Sequence, residues 1–169
     1  MFIQQKIKPI YEEENIPLSQ LRDNELWIPE IEIIYTLNES GMRVLFKKYC
    51  TKGCSVLTIK EYENMLLRDA KLGISRYAIR EAIAMSKQTI MKETDAKCFV
   101  NYNSTQYVEF LEVIARVAIT FFRDSELKEK SLNWKLEYVL ELIMHATLEM
   151  RVNKTPTEVP EFTDSDEDY

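Results

Sequence analysis

"TQYVEFLEVIARVAITFF", residues 105–122, is the stretch whose reading decides the fold. Its apolar residues fall at Tyr107, Phe110, Leu111, Ile114, Val117, Ala118, Phe121 and Phe122. That is a helical period, and a wide one for a helix lying on a surface. With only 3 Gly and 5 Pro in 169 residues, the rest of the chain reads the same way, so an all-α fold is expected. A hydrophobic fraction of 46% is ample for a core.

Outward from that stretch, the helical pattern repeats. Pro29 suits the first turn of a helix whose face runs through Ile31, Ile34, Tyr35, Met42, Leu45, Phe46 and Tyr49, with Gly41 a weak point inside it. Thr58 followed by Glu61 is a capping box, so a second helix should begin at Ile59 and stop at Gly73. Ser75 can cap a third, with Ile79, Ile83 and Ile90 on its stripe. A last amphipathic helix is expected over about Leu132–Met150.

The ends differ from this body. Residues 1–28 are expected to be an extended N-terminal segment, because Pro9 and Pro17 interrupt any helix. Phe2, Ile3, Ile7, Ile10, Tyr11, Ile16, Leu18, Leu21 and Trp27 nevertheless recur in it; a purely solvated tail needs none of them, so it should lie along its own domain or a partner. Residues 29–151 then form the helical domain and 152–169 an acidic C-terminal tail. Pro156–Tyr169 contains six acids and no base; without them the 28 Asp and Glu become 22, matching the 22 Lys and Arg. A balanced body argues against nucleic acid or an anionic membrane as partner, since both need clustered bases. In the tail, Thr163 and Ser165 have acids downstream, as acid-directed kinases prefer.

No apolar run reaches the ~18 residues of a membrane span, and Met1–Lys8 lacks the layout of a signal peptide, so a cytoplasmic protein with reduced cysteines is expected. Enzyme chemistry is not expected. No phosphate-cradling loop can be built from three glycines, and no nucleophile–base pair stands out. Cys50, Cys54, Cys98 and the lone His145 lack zinc-site spacing, and no cofactor is implied.

"LTIKEY" (57–62) and "TQYVEF" (105–110) share one frame: a β-capable residue, an apolar or aromatic one, then Glu and an aromatic. This resembles the second half of an EF-hand calcium loop, with Glu61 and Glu109 at the clamping position 12 and Leu57 and Thr105 at position 8, where sister loops pair. Loop positions 1, 3 and 5 would be Cys50, Lys52 and Cys54, and Cys98, Val100 and Tyr102. Calcium needs six to eight hard oxygens, so no metal is expected in either loop. The pattern resembles degenerate EF-hand-like domains of protist ciliary and flagellar proteins. That resemblance implies an EF-hand-like pair plus an extra C-terminal helix between irregular tails. It also implies a non-catalytic, microtubule-associated structural subunit of the axonemal cytoskeleton that binds other proteins of its assembly. Phe110, Leu111, Ile114, Val117 and Phe121 are core residues first and would also line its partner groove, with the last helix, Leu132–Met150, as a cover for that groove in cis. Two alternatives remain: a calcium-responsive regulator, and a helix-turn-helix DNA-binding protein built on Gly73, Arg76 and Arg80.

Overall fold

A computed structural model describes residues 18–50, 55–87 and 103–155, and it is mostly helical. Helix α1 (Leu18–Leu21) runs on through a wider π-helical turn (Arg22–Leu26). Helices α2 (Pro29–Leu37) and α3 (Glu39–Tyr49) follow, then a short strand β1 (Leu57–Thr58) and α4 (Ile59–Glu63), which widens into a π turn over Asn64–Asp69. After α5 (Arg76–Met85) come β2 (Ser104–Thr105), α6 (Tyr107–Phe122) and α7 (Leu132–Leu148).

Helix α6 is the centre of the fold. Phe110, Val113, Ile114, Ala115, Val117, Ala118 and Phe122 are all buried, which spreads apolar contact around most of its circumference. Helix α7 packs along one side of it through Leu136, Val139, Leu140 and Ile143, and α5 along another through Ile79 and Ile83. The breadth of the apolar stripe in the sequence is therefore that of a helix enclosed by neighbours.

The helix signals read from sequence are found at α4, α5 and α6. Thr58 and Glu61 form the capping box, and Gln106 with Glu109 form a second one. The Ser75 hydroxyl accepts from the Ala78 amide, and Gly73 takes a left-handed φ of 71°. Lys71 turns left-handed two residues earlier, so the helix ends before the glycine, at a turn that needs both.

Three boundaries move. The expected single helix from Pro29 to Tyr49 is broken at Asn38, not weakened at Gly41. Gly41 sits inside α3, where an added Cβ would meet the tip of the Met144 side chain. The N-terminal segment is helical from Leu18 onward, with Leu26 fully buried, so the extended reading of 1–28 fails for its last third. The first residues of the expected tail belong to the body. Val152 is buried, the Asn38 amide donates to the Asn153 carbonyl, and its oxygen accepts from the Asn153 amide. The acidic stretch 156–169, with Thr163 and Ser165, lies outside the described residues, as does Ile90.

Asn38 thus holds the α2–α3 corner and the returning C-terminal strap with one buried side chain. Replacing it with Ala leaves the Asn153 groups short of partners, and Asn38→Ala should cost ~1–3 kcal/mol. Thermal unfolding measures the loss, and hydrogen exchange should show it first at Val152–Thr155.

Two phenols are sealed in this core. The Tyr35 hydroxyl donates to the Leu111 carbonyl, and the Tyr62 hydroxyl pairs with Thr105 Oγ1 at 2.6 Å. Burial raises both above the ordinary phenol value of 10. A raised folded-state value means that their contribution to stability is complete below pH 10 and declines as the pH rises past it. Absorbance and circular dichroism followed together should show these two of nine tyrosines ionising only as the helices melt. Normal ionisation with intact helices would contradict the packing.

Candidate partner-binding surface and loop pair

The strands β1 and β2 join the two loops. They pair antiparallel, Leu57 opposite Thr105 and Thr58 opposite Ser104. Leu57 is fully buried, and Tyr62 reaches across from α4 to Thr105, so the bridge is fastened beneath as well as along the backbone.

The two glutamates of the shared frame act at helix starts. Glu61 accepts from the Thr58 amide, and Glu109 accepts from the Gln106 amide at 2.9 Å. Glu109 has a further partner in Lys87, whose ammonium lies 3.4 Å from its carboxylate and donates also to the Ser104 carbonyl. Burial lowers the Lys87 pKa, and Glu109 works against that shift. Of the other degenerate loop positions, Cys50 is half-buried against the core at the end of α3. Lys52, Cys54, Cys98, Val100 and Tyr102 lie outside the described residues. Among the described residues no group of three His, Cys, Asp or Glu side chains could hold a metal ion.

The expected groove on α6 is not one open surface. Phe110, Ile114 and Val117 are sealed in the core, with α7 packed along the same helix. Phe121 is half-buried in an aromatic cluster with Phe122 and Tyr138. Leu111 is half-buried too. It lies at one end of a cleft of about 520 Å³ between α2 and the start of α6. Trp27, Tyr35, Tyr107 and Val108 supply the remaining apolar lining, and Trp27 and Val108 keep 45% and 50% of their surface exposed. Glu32, Glu39 and Arg43 edge the cleft, with the Arg43 guanidinium 4.6 Å over the Tyr107 ring and paired to Glu39 at 2.7 Å. Glu32 makes no ion pair among the described residues.

Sequence reasoning missed a second cluster altogether. Glu112 and Arg116 are buried one turn apart on α6, their charges paired at 2.7 Å. Arg22 reaches Glu112 from the N-terminal π turn at 3.0 Å and also donates to the Met85 and Lys87 carbonyls at the end of α5. The Glu–Arg spacing of four was a readable signal within α6. The arginine that completes it lies ninety positions away and carried none. Of the helix-turn-helix features, Arg76 and Arg80 are exposed, but both face Glu63, at 3.7 and 3.5 Å. His145 is exposed on α7.

Compared with known protein families, with characterised proteins and with solved structures, the chain shows no match.

The buried triad makes a quantitative demand. Glu112→Gln leaves two arginines without a counter-charge and should cost ~3–5 kcal/mol. Glu112→Leu with Arg116→Met removes both buried charges and should recover more than half of that loss in urea unfolding. Equal losses in both variants would mean that shape, and not charge, fills this part of the core.

Proposed function

We propose that this chain is a non-catalytic, EF-hand-like protein-binding subunit whose loops are held by its own side chains in place of calcium. The observation that carries the reading is Lys87. Counting Glu109 as loop position 12 makes Ser104 position 7, whose backbone carbonyl is an ion ligand in a calcium loop. The Lys87 ammonium touches that carbonyl and that carboxylate together. A fixed cation from just beyond α5 stands at two groups that the loop frame counts as ion ligands. The register supports the same frame, because Leu57 and Thr105, both counted as position 8, are directly opposite.

A loop closed in this way has no use for calcium as a signal. The domain is then a constitutive scaffold, and its open cleft beside Trp27 and Leu111 is the surface for a partner protein. The assembly proposed from the sequence resemblance is cytoskeletal, the axoneme of a cilium or flagellum. Among the described residues no helix is long and apolar enough to cross a membrane.

Calorimetric titration with calcium should give no binding heat, and the helical dichroism should be the same in chelator. Lys87→Met should lower stability by ~1–3 kcal/mol, and calcium should not restore it. Heat in the wild type, or calcium rescue of the variant, would make the chain a calcium-responsive regulator instead.

A further inference from the structure

Helix α7 ends in a turn that sends the chain back along it. Glu149 takes a left-handed φ of 55°, and residues 150–155 follow without helix or strand. They return as far as Glu137, ~18 Å back along α7, a distance that six residues cover only when nearly extended, at ~20 Å. The strap they form is tied along its length. Val152 is buried, Asn153 bonds to Asn38 and to the Leu37 carbonyl, and Lys154 pairs with Glu141 at 3.1 Å. At its end Thr155 is half-buried, and one oxygen, Glu137 Oε1, accepts from both its amide and its hydroxyl, each at 2.8 Å.

Thr155 also has a chemical context that no other hydroxyl of serine or threonine in the chain shares. Pro156 follows it, and of the 5 prolines only this one follows a serine or threonine. Proline-directed kinases take such a hydroxyl: their pocket for the next residue offers no partner to a backbone amide hydrogen, and proline has none. Proline also biases the residue before it toward extended backbone, the form a kinase cleft accepts. The charge facing the site is negative. Glu137 and Glu141 lie one turn apart on α7, and the base nearest in sequence, Lys154, is paired with Glu141.

We propose that Thr155 is the acceptor of a proline-directed kinase and that its phosphate releases the strap from α7. The kinase transfers the γ-phosphoryl group of ATP: the bond from Thr155 Oγ1 to phosphorus forms as the bond to the ADP leaving group breaks, and the hydroxyl proton passes to the carboxylate base of the kinase. The product has lost the hydrogen that Glu137 accepted, and it sets a charge of about −1.5 to −2 against that carboxylate. Repulsion separates them. If Lys154 is drawn toward the phosphate it leaves Glu141, which loosens the other ionic tie. Asn153 is then held only by its bonds to Asn38 and Leu37, so a phosphate at the end of the strap is read at the α2–α3 corner.

Treating the full chain with a purified proline-directed kinase and magnesium ATP tests both parts. Fragment masses should place a phosphate at Thr155. Amide exchange of Asn153 and Thr155 should then quicken about tenfold, while Ile114 and Val117 in α6 keep their protection. Asn38→Ala, which loosens the strap, should speed the phosphorylation itself about fivefold, because Thr155 must leave Glu137 to enter the kinase. Thr155→Val should take no phosphate at this position, and its Asn153 exchange should be the same before and after treatment. In Glu137→Lys the phosphate meets a cation, so phosphorylation should slow the exchange of Asn153 instead. No phosphate at Thr155 would overturn the site. Phosphate there with Asn153 still protected, or Glu137→Lys opening as the wild type does, would overturn the release.

Discussion

The enclosure of α6 is the constraint on which the rest depends. A helix buried on nearly all sides can place its few polar side chains only against internal partners, and each of those partners fixes another element. Glu112 and Arg116 draw in Arg22, which in turn holds the end of α5. The carbonyl of Leu111 takes the Tyr35 hydroxyl and so seats α2. At the N-terminal end of the helix, Glu109 caps the first turn and engages Lys87. One central helix thereby specifies the positions of α1, α2 and α5 through polar contacts, while apolar packing positions α7.

The same constraint explains which parts of the fold could be read from residue order. Capping is local: Thr58 with Glu61 and Ser75 with Ala78 act over three residues, and both helix starts were legible for that reason. Periodicity is local too, so the extent of α7 was legible to within two residues. The break at Asn38 was not, because nothing within α2 or α3 requires it. It is stabilised by Asn153, a residue 115 positions later. Gly41 is a weak point of α3 by propensity, and its place beside the tip of Met144, about a hundred positions later, carries no local signal.

The candidate site divides along the same line. Glu61 and Glu109 each cap the helix start three residues before them, and that repeated short pattern could be seen. Lys87 could not, since its meaning comes from its distance to Glu109 and Ser104 across the intervening segment. The apolar stripe of α6 and a last helix able to cover it are both legible from periodicity, and α7 does pack along that stripe. The open surface lies one helix turn toward its N-terminus, at Tyr107, Val108 and Leu111, where α2 leaves a gap.

The central claim is that the loop pair is closed by the chain's own groups. Hydrogen exchange at the Leu57–Thr58 and Ser104–Thr105 bridge, measured in chelator and again in excess calcium, tests it most directly. The account predicts slow exchange in chelator, limited by opening of the α6 core, and no change on adding calcium. Rapid exchange in chelator that calcium slows would show that an ion closes the loops, and would contradict it.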